Sequence, residues 1–392
     1  MIEYDKVIAG RVRMMQPSGI RKFFEMLGDR PDVISLTVGQ PDFVTPYHIR
    51  EAAIRSIENG KTWYTANLGM PALREQISAY LARRFSLSYD AKKEILVSVG
   101  GSEAIDIALR ALIEPGDEVI LPLPAFVCYA PLAELYGAVV KKVITKEENA
   151  YKITPQELRA AITPRTKLLI LPYPNNPTGA ILTRQELRAL ADVLRGTNVM
   201  VLSDEIYAEL TYGMQHTSIA AIDGMRERVI LVSGFSKAWA MTGWRLGYLC
   251  APREIVSQIY KIHQYGIMCA PTASQFAAIE AMKNGDEDVL RMTAEYNRRR
   301  IMILDAFQKI GIQCFEPQGA FYVFPHIAPP GQSSEQFCRR LLDEAGVAIV
   351  PGSAFGEGGE GCARISYAYS VSHISQALER IASFMEKEKA RG

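Results

Sequence analysis

What these 392 residues lack narrows them first. The six cysteines (Cys128, Cys250, Cys269, Cys314, Cys338 and Cys362) form no CxxC pair and show no zinc-ligand spacing. They sit mostly inside apolar stretches and read as reduced core thiols, so neither a disulfide framework nor a metal site is expected. No apolar run approaches the ~18 residues of a membrane span, which excludes a spanning helix. The opening MIEYDKVIAGRVRMM holds no apolar segment of signal-peptide length, so the cytoplasm is the expected compartment. Charge of one sign is missing too: 44 Lys and Arg stand against 43 Asp and Glu, a net charge of +1. A surface that tracks nucleic-acid phosphates needs a basic excess, so nucleic acid is not an expected partner. No internal repeat or low-complexity linker interrupts the chain.

What is present is an alternation. From about residue 45 to 285, short runs rich in Val, Ile and Leu recur: EILVSVG (94–100), EVILPLP (118–124), KLLILPYP (167–174), NVMVLSDEIY (198–207), RVILVSGFSK (228–237) and RLGYLCAP (245–252). Amphipathic stretches such as SEAIDIALRALIEPGD and TRQELRALADVLRG lie between most of them. The pattern predicts an α/β fold, a mainly parallel sheet flanked by helices. After about residue 285 it changes. DEDVLRMTAEYNRRRIMILDAFQKIG reads as one long helix ended by Gly311. Short strands and two further helices then suggest a smaller α+β domain. The expected division is 1–44 as an N-terminal arm and part of the small domain, 45–285 as the large domain, and 286–392 as the small C-terminal domain.

Ligands of such sheets bind outside the carboxyl ends of the strands. There the sequence puts Gly100-Gly101-Ser102, Asn175-Asn176, Asp204 and Ser236-Lys237, each directly after an apolar run. Lys237 lies among Gly234, Ser236 and Ala238, which leave room for a ring. Desolvation there would lower the pKa of its amine and raise its reactivity toward an aldehyde. Arg245, eight residues on (245 − 237 = 8), offers a planar, permanently charged fork for a phosphate. Pyridoxal 5′-phosphate carries both groups. Asp204 could cap a helix or place an anion against the cofactor's ring nitrogen, where a protonated ring withdraws electrons from the reacting carbon. Tyr207 and Asn176 can hydrogen-bond its phenolic oxygen. Gly101 and Ser102 open a helix whose free amides suit a phosphate, although a tight turn alone also accounts for the glycines. PNNPTG (174–179) is a rigid turn in which either X–Pro bond is free to be cis. Phe126 is either a core aromatic or a ring stacked on the cofactor. Arg364, in CARISYAYS, is either a surface ion-pair partner or a fork for a substrate carboxylate, to which Gly39 could add a backbone amide. Tyr64 has little standing by itself.

Together these residues resemble the class I aminotransferases of fold type I, the aspartate aminotransferase superfamily. GFSKAWAMTGWRLG is similar to that family's signature throughout its length. PNNPTG, SDEIY, VGQPDF and ARISYA match in the same order and at similar separations, from about residue 10 to the end. The resemblance implies that Lys237 holds the cofactor covalently and shuttles the proton. It implies that Asp204 pairs with the ring nitrogen, and that Asn176 and Tyr207 bind the phenolic oxygen. Gly101, Ser102, Ser236 and Arg245 would bind the phosphate, and Phe126 would stack on the ring. Arg364, Gly39 and Asn176 would meet the substrate. Tyr64 would reach the phosphate of the neighbouring subunit's cofactor, so a homodimer with shared sites is implied. The substrates would be an amino acid and a 2-oxo acid, exchanged by ping-pong chemistry. Two departures stand out. Gly234 occupies a position that is serine in many relatives, and nothing clearly matches the second arginine of aspartate-specific members. The sequence looks closest to the bacterial branch of broad aspartate, aromatic and acyl-diaminopimelate aminotransferases. Met15, Gln16, Ile20 and Tyr265 are candidates for the side-chain pocket. The competing readings are a carbon–sulfur β-lyase on the same fold and a non-catalytic regulatory domain holding the same cofactor. The second is disfavoured by a catalytic-type region that begins almost at Met1.

Overall fold

The apolar runs form strands because each is buried on both faces. A computed structural model describes residues 2–17, 19–20, 30 and 32–391. After a two-residue strand β1 (Ile34–Ser35) come β2 (Ile95–Ser98), β3 (Glu118–Leu123), β4 (Val139–Ile144), β5 (Thr166–Leu171), β6 (Met200–Asp204), β7 (Val229–Gly234) and β8 (Gly247–Cys250). These last seven make one sheet in the order β2-β8-β7-β6-β5-β3-β4. β8 runs antiparallel to both β2 and β7, and the other pairings are parallel.

Alternate residues feed two apolar layers, as the two-residue period of a strand requires. Val97, Ile120, Leu169, Val201 and Leu231 face a layer that includes the helices Pro71–Phe85, Arg184–Leu194 and Thr272–Asn284. Leu96, Val119, Leu168, Leu202 and Ile230 face the helices Gly100–Leu112 and Arg253–Gly266. Each such side chain contributes about 1.5–3 kcal/mol by leaving water. Helix Arg184–Leu194 starts where Thr183 and Glu186 form a reciprocal capping box. β4 has no counterpart among the apolar runs read from the sequence. It is the edge strand, carries Lys141 and Lys142, and has no fully buried residue.

The expected long helix spans Asp286–Ile310, and Gly311 ends it in the left-handed region at φ 78°. It packs with helices Ser334–Ala345 and Val371–Arg391 around a third apolar cluster, which includes Tyr296, Phe307, Phe321, Leu341 and Ile381. Short strands complete this part: β9 (Gln313–Cys314), β10 (Tyr322–Val323), β11 (Pro325–His326), β12 (Val347–Ala348), β13 (Val350–Pro351) and β14 (Ala363–Ser366). β14 lies between β10 and β13, and β1 pairs parallel with β12. No helix among the described residues is long and apolar enough to cross a membrane.

Candidate active site

The strand ends converge on one cavity of about 360 Å³. Twelve of the residues singled out in the sequence line it: Ile20, Gly39, Gly101, Ser102, Phe126, Asn176, Asp204, Tyr207, Ser236, Lys237, Arg245 and Arg364. β6 delivers Asp204 at its last residue, and the turn after β7 delivers Ser236 and Lys237. The turn between β5 and the next helix supplies Asn176, with Tyr173–Pro174 and Asn176–Pro177 both cis. Arg364 comes from β14, in the separate three-stranded sheet β10-β14-β13.

The Lys237 Nζ donates to the carbonyl of Gly39 at 2.8 Å. Burial, then the Arg364 and Arg245 charges, bring its pKa down to about 8, against a smaller pull from Asp204. The Asp204 carboxylate is buried and accepts from two neutral donors, the Tyr129 hydroxyl at 2.7 Å and the Ile206 amide at 3.1 Å. Burial raises its pKa, and the Tyr129 bond opposes the rise. Arg364 is buried between the rings of Tyr322 and Phe355, 4.5 and 4.9 Å from their centroids. It donates to Asn176 Oδ1 at 2.9 Å and to the Thr37 carbonyl at 2.6 Å, while its Nε has no partner.

The helix Gly100–Leu112 begins in a turn that needs glycine: Gly100 has φ 79°. A Cβ there would fall 2.6 Å from Arg245 Nη2, so the arginine lies directly on the helix start. Arg245 itself adopts φ 51°, a conformation that costs ~1–3 kcal/mol in a non-glycine residue unless its surroundings hold it. Its recorded hydrogen bond is to the Thr242 carbonyl at 3.0 Å. The departure at Gly234 has a steric cause. Gly234 pairs with Gly247 on β8, and a Cβ at Gly234 would meet the Gly247 Cα at 2.9 Å and the Leu246 carbonyl at 3.0 Å. A serine there would push the strands apart.

Tyr64 is not in the lining; it stands 78% exposed on the surface. Of the four side-chain candidates, Ile20 lines the cavity and Gln16 lines a neighbouring one that shares Phe126. Met15 and Tyr265 line neither, and Tyr265 is exposed. The sequence reading missed Tyr129, Tyr322 and Thr37. Tyr129 follows Phe126 by three residues, a spacing that in a helix would put both on one side and could have flagged it, although the helix starts only at Tyr129. Tyr322 gives no local signal, because its place depends on β10 pairing with β14.

The family model for aminotransferase class I and II matches residues 31–381. The chain belongs to the class I and II aminotransferases. This aminotransferase is 50% identical over 376 residues to a putative aminotransferase, YugH, of Bacillus subtilis, covering 96% of this chain and 97% of that one. It is 44% identical over 379 residues to a probable N-acetyl-LL-diaminopimelate aminotransferase of the same organism, covering 97% and 96%. The aspartate aminotransferase of Thermus thermophilus, solved with maleate, superposes with a TM-score of 0.91 at 38% identity, covering 96% and 99%.

The aminotransferase takes pyridoxal 5′-phosphate, and its cavity residues fit that group. A buried carboxylate with only neutral donors suits a protonated ring nitrogen. An amine with a depressed pKa suits an aldehyde. A helix start beside a guanidinium suits a phosphate dianion.

Proposed function

We propose that this aminotransferase works as a homodimer in the cytosol, with Lys237, Asp204 and Arg364 as the residues that decide its chemistry. The observation that carries this reading is the convergence on one cavity of the Lys237 amine, the buried Asp204 carboxylate and the buried Arg364 guanidinium. Asp204 would hold the ring nitrogen, and Asn176 and Tyr207 the phenolic oxygen. Gly101, Ser102, Ser236 and Arg245 would seat the phosphate, with Phe126 against the ring. Bound there, the cofactor supplies an electron sink for charge that develops at the substrate Cα.

The chain's own residues do the rest. Arg364 and the Gly39 backbone grip the substrate carboxylate. With the cofactor held there, Lys237 would take the Cα proton and hand it back on the cofactor side, and Asp204 would stay anionic meanwhile. The amino acid would leave as a 2-oxo acid, with water supplying the carbonyl oxygen and the amino group kept by the cofactor, and a second 2-oxo acid would take that group up by the reverse exchange. Residues 286–392, moving against 45–285, would close the cavity to water.

The exposed apolar side chains Val44, Tyr47, Trp63, Tyr64 and Tyr265 support a subunit interface. The loop bearing Trp63 and Tyr64 is tied to residues 268–272 by Asn67 Nδ2 donating to the Met268 carbonyl and Thr272 Oγ1 to that of Trp63. Tyr64 would then serve the partner's site. Six unpaired thiols favour a reducing compartment. A panel of amino donors against 2-oxoglutarate tests the reading. It predicts 2-oxo acid formation with at least one common L-amino acid, and ammonia release without amino transfer would overturn it.

A further inference from the structure

Tyr322 has no role in the assignments above, yet its hydroxyl enters the site. It is buried, and its oxygen lies 2.8 Å from that of Tyr207. The backbone keeps room for it: a Cβ on Gly39 would fall 2.2 Å from that hydroxyl. Among the described residues, each of the two hydroxyls has the other as its recorded hydrogen-bond partner.

A phenol has one proton to give. If Tyr207 gives its proton to Tyr322, none is left for the cofactor's phenolic oxygen. The Arg364 guanidinium lies 4.5 Å from the centre of the Tyr322 ring, and a neighbouring cation makes a phenol the better donor. Burial keeps both phenols protonated across the working range. We propose that Tyr322 is a positioning residue: its hydroxyl donates to Tyr207 and so directs the single Tyr207 proton onto the cofactor's phenolic oxygen. This rests on the reading that Tyr207 binds that oxygen.

The test is the pH midpoint of the holoenzyme's visible absorbance, measured without substrate. A donor on the phenolic oxygen draws charge away from the Lys237 nitrogen beside it and holds the midpoint down. Tyr207→Phe removes the donor and should raise the midpoint by about one to two pH units, the equivalent of one hydrogen bond to a charged group. Tyr322→Phe keeps the ring under Arg364 and removes only the hydroxyl. It should raise the midpoint by about 0.1–0.6 unit, since one bond in a chain strengthens the next by roughly 10–30%. In a Tyr207→Phe background it should add nothing. Equal shifts in both backgrounds, or no shift in the native one, would overturn the proposal. If Tyr207→Phe itself leaves the midpoint in place, the assignment of Tyr207 fails and the relay fails with it.

Discussion

Arg364→Lys keeps the positive charge in the cavity and removes its forked shape. The native guanidinium uses Nη1 on Asn176 and Nη2 on the Thr37 carbonyl, and its flat faces rest on Tyr322 and Phe355. That arrangement fixes the plane in which a carboxylate would meet the remaining N–H groups. An ammonium on a flexible stem matches neither the plane nor the paired geometry. Losing one charged hydrogen bond to the substrate costs about 1.5–3 kcal/mol, which is roughly a 10- to 150-fold fall in kcat/KM. The same carboxylate is gripped in both half-reactions, so the fall must appear for the amino donor and for the 2-oxo acid acceptor. Stopped-flow measurement of each half-reaction at saturating cofactor gives both values. Cofactor affinity should change little, because Arg364 is assigned to the substrate side. A kcat/KM within twofold of the native value, or a loss in only one half-reaction, refutes the fork.

Other outcomes follow from the same geometry. Tyr129→Phe removes a donor that favours the Asp204 anion, so the Asp204 pKa, already raised by burial, should rise further. The acid limb of the kcat/KM profile should move up by about one pH unit, and an unmoved limb would separate Tyr129 from Asp204 function. In apo-protein, the folded Lys237 pKa of about 8 lies below the usual 10.5, so between those values the unfolded chain binds the extra proton and stability rises with pH. Below about pH 8 the penalty for the buried charge is constant. Apo Lys237→Met should therefore be the more stable protein at pH 7, by at most about 3 kcal/mol because the cavity admits some water, and the gap should close toward pH 10.5 in urea melts. Equal stability at pH 7 would contradict a desolvated amine. Mixed dimers of Lys237→Ala and Tyr64→Ala chains should regain one intact site of two if Tyr64 serves its neighbour, and no recovery would mean self-contained subunits.

The strands that carry the site were legible because they are buried on both faces and read as unbroken apolar runs. β2, β3 and β5–β8 fall where Val, Ile and Leu cluster, and for β2, β5, β6 and β7 polar residues at or just after the end of the run reach the cavity. β4 escaped because an edge strand needs only partial burial and tolerates Lys141 and Lys142. The long helix was legible from its period and from Gly311, whose left-handed backbone stops it. Arg364 was legible as a candidate but not as a buried one; its surroundings come from β14 lying between β10 and β13. Tyr322 enters through the same pairing, and a pairing of distant strands leaves no mark in local composition. Tyr129 lies between these cases: its spacing from Phe126 was readable, its bond to Asp204 was not.

Borohydride reduction of the holoenzyme, followed by peptide mapping, tests the central assignment most directly. The account predicts loss of the visible absorbance and a single pyridoxyl-modified peptide carrying Lys237. A modification on another lysine, or none in cofactor-saturated protein, would contradict it.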